Sequence, residues 1–304
     1  MAKLTVQTSA INAMLAELDA LTRRIKSVDV SANPKVVKKI RQDLENASIQ
    51  LSKAANGLDP ILRPDKIFDP SDPNTAGRMV ALTLVAQQRH PLARIPDFYG
   101  AGIYAIYYNG EFPPYASLTR REHPIYVGKA DPDNPSAKDA IRQGAKLSVR
   151  LNEHARNIRK AHTTLAIEDF ECRFLIVQTG FQKSAEDYLI NFFQPIWNSE
   201  TKICFGLGKH GDSSDTRGNK RSPWDTMHPG REWANRTTED QKPQHLIVEQ
   251  IETHLRSRPP YGDIHEIFDH FMEHMRQLSK ENFSTPASGH VELEEAATTS
   301  GVIV

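Results

Sequence analysis

The chain has 304 residues, with Lys+Arg and Asp+Glu both at 38, so it is long enough for an ordinary core, while its zero formal charge gives no whole-chain argument for a nucleic-acid partner. Two cysteines, Cys172 and Cys204, without CxxC spacing exclude a disulfide framework and a cysteine-based zinc site; buried free thiols in a reducing compartment are the expectation. No signal-length apolar core lies in residues 1–9 and no apolar run approaches membrane-spanning length, which leads to the expectation of a soluble, cytoplasmic protein.

In chain order, Ile11, Met14, Leu15, Leu18, Leu21 and Ile25 recur at helical spacing over residues 9–26. Asn33-Pro34 then supplies a cap and a first-turn proline for a second helix, with Val36, Val37, Ile40, Leu44, Ala47 and Leu51 on one face. The pair reads as an αα-hairpin arm whose stripes serve core packing or a dimer contact. Residues 58–74 carry four prolines among aspartates and read as a boundary loop, and residues 78–88 as a short helix stopped before His90-Pro91.

Residues 101–108 are β-branched and aromatic and predict a strand, with 124–127 as its antiparallel partner across a long hairpin loop. A turn-rich loop at 131–135 precedes a helix over 147–160 that turns Leu151 and Ile158 inward. A third strand over 170–178 and a helix over 184–193, ended by Gln194-Pro195, complete the pattern. Residues 205–236 are glycine-rich and unpatterned, with Arg217, Lys220, Arg221, Arg231 and Arg236 interleaved with Trp224 and Trp233; a stretch of that length is too long for a plain connector. Residues 245–255 and 264–278 read as helices, and 284–304 as an acidic, Ser/Thr-rich disordered tail. The expected organisation is an N-terminal arm and linker at 1–98, a core at 99–204, a basic, glycine-rich loop at 205–240, and C-terminal helices with a tail at 241–304.

Several polar residues could carry chemistry. Arg150 and His154 are one helical turn apart and share a face, where Arg150 could fork onto a phosphate oxygen and His154 relay a proton; an exposed Arg beside a solvated His is the alternative. Lys138, Arg142, Lys146, Arg156, Arg159 and Lys160 crowd the same stretch as a local basic face. Glu186, near a helix start, is either a capping carboxylate or a hard ligand for a divalent cation. Tyr104 and Tyr126, from strand composition alone, are packing residues. Asn198 reads as tying a loop to the core by side-chain hydrogen bonds. His265, His270 and His274 flank an apolar stripe of Ile264, Ile267, Phe268, Phe271 and Met275, so a metal reading of them is set aside.

Gly102-Ile103-Tyr104, Tyr126-Val127-Gly128-Lys129, Arg150, His154, Glu186 and the closing Pro195-Ile196-Trp197-Asn198 form an ordered set that resembles the GIY-YIG nuclease superfamily, with Val127 in place of the usual Ile. The Arg-x-x-x-His step and the Pro-x-x-Asn close look most like its type II restriction endonuclease branch, over about a third of the chain. The resemblance implies an α+β fold with a small, mostly antiparallel three-stranded sheet flanked by helices. It further implies Tyr104 as general base with His154 as competitor, Tyr126 placing the phosphate or a relay partner, and Arg150 on the phosphate. Glu186 would be the ligand of Mg²⁺, with Mn²⁺ able to substitute, and Asn198 would complete the site. Lys129, Lys146, Arg217, Lys220, Arg221 and Arg231 are the expected DNA contacts, with Lys129 also helping to ionise Tyr104. The expected partners are a palindromic double-stranded DNA site, a second copy of the chain, and, genetically, a matching DNA methyltransferase. A homing or repair nuclease of the superfamily, and a DNA-binding protein with an inert core, are the alternatives.

Overall fold

Every residue of strand β2, Gly102–Tyr108, is buried, because it is an inner strand of a sheet covered on both faces. The computed structural model describes residues 2–27, 34–56, 68–208 and 220–282. Its main sheet is antiparallel with strand order β1-β4-β2-β3, where β1 is His90–Pro91, β3 is Tyr126–Ala130 and β4 is Phe170–Ile176. The sheet thus has four strands rather than the expected three. The extra one is a two-residue edge pairing with Glu171 and Cys172; two residues ending in proline carry no alternation that a sequence could display.

Alternation along β2 sends Tyr104, Ile106 and Tyr108 to one face and Ile103, Ala105 and Tyr107 to the other. The first face packs against helix α5, Lys146–Lys160, through Leu147, Leu151, Ala155 and Ile158, together with Trp197 and Trp224. The second is covered by α3 (Pro73–Val85), α6 (Gln182–Phe193) and α10 (Ile264–Asn282), which contribute Leu84, Leu189, Phe193, Ile267 and Phe271. Burial of each large apolar side chain stabilises by about 1.5–3 kcal/mol.

Helix α3 starts inside the stretch read as a loop. The Asp72 carboxylate accepts from the backbone N–H of Asn74 and Thr75 at 3.0 Å each, and Pro73 takes the first helical position, where no N–H is needed. The four-residue helix α4, Ala140–Gln143, aims Gln143 into the core, where its amide accepts from Ala101 N and donates to Val177 O, both at 2.9 Å.

The described parts of the glycine-rich stretch are folded against the core rather than projecting from it. Short helices α7 (Pro223–Met227) and α8 (Glu232–Asn235) lie between β5 (Lys220–Arg221) and β6 (Glu239–Asp240), which pair in parallel. Trp224 and Met227 join Ile247, Ile251 and Leu255 of α9, Gln244–Ser257, in the first core cluster. Cys172 and Cys204 are both buried free thiols.

Helices α1, Ala2–Lys26, and α2, Pro34–Asn56, belong to one compact unit, and Lys66–Asn282 forms another. Both arm helices occur where periodicity predicts them. Their stripes are exposed at Ile11, Met14, Leu15, Leu18, Leu21 and Ile25 and at Val36, Ile40, Leu44 and Leu51. The tail expected over 284–304 lies outside the described residues.

One buried hydrogen-bond chain locks the glycine-rich stretch onto the core. Trp197 Nε1 donates to Tyr115 Oη at 2.9 Å, Tyr115 lies 2.6 Å from His228 Nε2, and His228 Nδ1 lies 2.9 Å from Thr164 Oγ1. The Thr164 hydroxyl donates to Ala161 O at 3.2 Å, so it accepts from Nδ1–H and leaves Nε2 to accept from Tyr115. Burial pushes the His228 pKa down to about 3, and burial first, then His254, pushes His123 down to about 4. Unfolded imidazoles titrate near about 6.5, so below that pH the unfolded chain binds more protons than the fold. The stabilisation is complete above about 6.5 and is lost progressively as pH falls toward the folded values. Melting temperature is therefore expected to drop between pH 7 and pH 5. His228→Gln should melt lower at pH 7 but with a shallower pH slope; an equal slope in the two proteins would remove His228 from this role.

Candidate active site

Strands β2 and β3 bring the two motif tyrosines together. Tyr104 faces Gly128 across the ladder and Tyr126 faces Ile106, so the tyrosines are diagonal neighbours on one face, with ring centroids 6.1 Å apart. A Cβ on Gly128 would lie 2.5 Å from Tyr104 Oη and 3.1 Å from the Tyr126 ring. The second motif glycine is therefore required by the close approach of both rings. A Cβ on Gly102 would run into the Leu175 carbonyl oxygen, which accounts for the first.

Helix α5 adds the next two groups. Its inward face carries Leu147, Leu151 and Ile158, and the same face holds Arg150 and His154. His154 is fully buried; its Nε2 lies 2.6 Å from Tyr104 Oη and its ring meets the Tyr126 ring edge-on at 5.1 Å. Arg150 donates from Nη1 to Glu153 Oε2 at 2.9 Å and from Nη2 to Gly208 O at 3.3 Å. The solvated alternative for this pair is thus not what the fold contains.

Burial, followed by the neighbouring Tyr126, raises the Tyr104 pKa well above the ordinary phenol value, with Arg150 opposing. Burial also raises Tyr126, again against Arg150. Arg150 thus favours the ionised tyrosines as expected but does not prevail. Lys129 was expected to help at Tyr104; instead it is ion-paired with Asp131 and its charge acts on Glu186.

Glu186 lies on α6, five positions after the cap residue Phe181, and that helix start has no side-chain cap hydrogen bond, so the capping alternative for Glu186 is not realised. Burial pushes its carboxyl up to about 7, against the opposing charges of Lys129 and Lys183. A carboxylate whose charge is destabilised in this way is suited to a cation. Among the described residues no three His, Cys, Asp or Glu side chains gather as a metal cage. A divalent ion here would take the Glu186 carboxylate, with phosphate oxygens and water able to complete its shell. His270 and His274 are engaged by tyrosine hydroxyls, Tyr261 at 2.9 Å and Tyr188 at 3.2 Å.

Asn198 holds the outer edge of β3. Its Nδ2 donates to Val127 O at 2.8 Å and its Oδ1 accepts from Val127 N at 2.9 Å, satisfying backbone groups that an edge strand would otherwise leave unpaired. The side chain thereby fixes the strand that carries Tyr126.

A family profile described as the Eco29kI GIY-YIG domain matches residues 96–255, just over half the chain. The chain belongs to this GIY-YIG family of restriction endonucleases. A comparison with curated proteins returns no match. The matched residues run from the segment before β2 through most of α9, so this GIY-YIG domain includes both tyrosines, α5, Glu186, Asn198 and the folded part of the glycine-rich stretch.

Among the described residues, several of those expected on DNA are ion-paired. Lys146 pairs with Asp133 at 2.5 Å, Lys220 with Glu239 at 3.1 Å and Arg221 with Asp240 at 2.7 Å. Arg217 lies outside the described residues. Arg156 and Arg159 line an open cleft of about 470 Å³ with Asp97 and Asn152, on the side of α5 that 100° per residue turns away from His154. Arg231 corrects the expectation outright, since it is only 2% exposed. Its guanidinium forks onto Asp225 at 2.6 and 2.7 Å and lies 4.7 and 4.9 Å from the Trp224 and Trp233 rings. Removing one member of such a pair costs roughly 3–5 kcal/mol because the other charge is left buried. Asp225, Asn157 and Gly208 carry no signal in the sequence: Asn157 and Gly208 act through contacts 50 and 58 residues away, and Asp225 through a fork onto Arg231 that only the folded turn of chain between them forms.

Proposed function

We propose that the chain is a type II restriction endonuclease that makes site-specific double-strand cuts in DNA with Mg²⁺. The observation that supports this most is the 2.6 Å approach of Tyr104 Oη to His154 Nε2, beside Tyr126 and Arg150, in a domain of this family. In this reading Tyr104 takes a proton from the attacking water while passing its own to His154 Nε2. That relay spares a buried phenolate, which the raised Tyr104 pKa disfavours. The water oxygen bonds to phosphorus and the bond to the 3′ oxygen breaks. Arg150 neutralises charge on a non-bridging phosphate oxygen, and Tyr126 positions the phosphate. Glu186 would hold the divalent ion, which supplies Lewis-acid stabilisation at the leaving oxygen. Asn198 keeps β3, and with it Tyr126, in place.

Purified protein incubated with supercoiled plasmid is expected to yield linear DNA with Mg²⁺ and none with EDTA. Binding without cleavage under any divalent ion would favour the inert DNA-binding alternative. A restriction role also implies a matching DNA methyltransferase in the host, because unprotected chromosomal sites would be cut.

The active species is expected to be a homodimer, since one centre cuts one strand and a twofold axis presents a second centre to the other. Phe271 is buried in the core and Phe268 packs against it, which leaves the exposed stripes of α1 and α2 as the contact. Sedimentation on a short cleavable duplex should show two protomers per DNA. One protomer together with concerted double-strand cutting would contradict the dimer.

A further inference from the structure

Three consecutive carbonyls after Phe205 are each claimed by a side chain. Gly206 O accepts from Arg231 Nη2 at 3.0 Å, Leu207 O accepts from Arg231 Nη1 at 3.2 Å and from Asn157 Nδ2 at 3.1 Å, and Gly208 O accepts from Arg150 Nη2 at 3.3 Å. The segment is clamped from both sides. Asp225, itself fully buried, holds the Arg231 fork and accepts from the Ser222 hydroxyl, and Gly206 at φ +127° packs its Cα against Ser222. On the other side, Gly230 packs against the Lys160 carbonyl at the end of α5, the helix that carries Arg150.

We infer that the buried Asp225–Arg231 pair is a positioning device for the active site: it fixes the Gly206–Leu207–Gly208 backbone so that the Gly208 carbonyl sets the guanidinium of Arg150 in the orientation that receives the phosphate. This rests on the reading of Arg150 as the phosphate-stabilising group.

The chemistry of the acceptor supports the assignment. A carboxylate at that point would cancel part of the Arg150 charge, as Glu153 does on Nη1, whereas a neutral carbonyl orients Nη2 and leaves the charge for the phosphate. Arg231 brings no competing charge, because Asp225 neutralises it at bidentate distance. The fit is also close: a Cβ on Gly208 would lie 2.7 Å from Arg150 Nη2 and 3.3 Å from Tyr126 Oη. Arg231 and Asp225 are therefore positioning residues acting through Gly208 and Arg150. A guanidinium misplaced by about 1 Å loses on the order of 10²-fold in rate.

Gly208→Ala tests this without touching the ion pair, since Gly208 has no positive φ and alanine fits its backbone. Single-turnover plasmid cleavage at saturating protein and Mg²⁺ would be compared for wild type, Gly208→Ala, Arg231→Lys, Arg150→Lys and the Gly208→Ala/Arg150→Lys double variant. Plasmid binding without Mg²⁺ and melting temperature would be read alongside. Gly208→Ala is expected to slow cleavage about 10- to 100-fold with binding and melting unchanged, and to add nothing in the Arg150→Lys background. Arg231→Lys, which changes the pair itself, is expected to slow cleavage likewise; if it fails to fold, Asp225→Asn, which keeps the shape of the acceptor, takes its place, and wild-type cleavage by the pair variant that folds overturns the positioning role. Wild-type cleavage by Gly208→Ala, or an equal slowing in both backgrounds, overturns the positioning role. If Arg150→Lys itself cleaves as wild type, the reading of Arg150 fails instead, and the positioning inference fails with it.

Discussion

Glu186→Gln abolishes cleavage and leaves DNA binding and folding intact: that is the expected result with the largest effect, because it removes the one carboxylate assigned to the metal and spares every group assigned to the phosphate. The substitution also tests the role against a structural one. Burial raises the Glu186 carboxyl to about 7, whereas an unfolded carboxyl titrates near about 4.5. Between those values the fold binds more protons than the unfolded chain, so the ionised side chain costs stability as pH rises through that window. A neutral glutamine removes that cost. Melting temperature at pH 8 should therefore hold or rise while single-turnover cleavage disappears. Cleavage within about tenfold of wild type, or a collapse in melting temperature, would sink the metal-ligand assignment.

Tyr104→Phe is expected to slow the chemical step by about 10²- to 10⁴-fold, the range by which a positioned proton acceptor contributes. The ring packs against Tyr126 and His154 in either variant, while the hydroxyl's 2.6 Å contact to His154 and its hydrogen bonds to Arg150 and Tyr126 are lost. That loss costs at most about 1–3 kcal/mol of stability, the range for leaving one buried polar group without its partner. Single turnovers are needed, since slow product release would hide the step in steady-state rates. Because Tyr104 and His154 handle one proton in sequence, Tyr104→Phe/His154→Ala should be no slower than the slower single variant. Near wild-type cleavage by Tyr104→Phe would pass the base role to His154 or to the metal-bound solvent.

The parts of this fold that were legible are those written in local spacing. Strand β2 displays β-branched and aromatic residues over seven positions, and α5 repeats Leu147, Leu151 and Ile158 on the face that also carries Arg150 and His154. Tyr104 and Tyr126 could be paired in advance only because the motif orders them on two strands; strand composition alone favours packing. What was not legible depends on which groups the fold brings together, whether near or far in sequence. Arg231 carries the charge of a DNA contact, and nothing near it in the sequence shows that Asp225, Gly206 and Leu207 enclose it. Pro73 read as a breaker because its use as a first-turn residue depends on the Asp72 cap. The arm shows the opposite failure: periodicity located α1 and α2, yet the period of a stripe does not say what covers it, and both stripes are exposed.

This GIY-YIG domain is proposed to cut both strands of DNA at one sequence. The most direct measurement is to sequence the ends made by the purified protein on a plasmid of known sequence, with Mg²⁺, in single-turnover conditions. Ends at fixed positions flanking one short recurring, twofold-symmetric sequence, absent with EDTA and absent for Glu186→Gln, are the expected result. Ends scattered without a common sequence, or the same ends from Glu186→Gln, would contradict it.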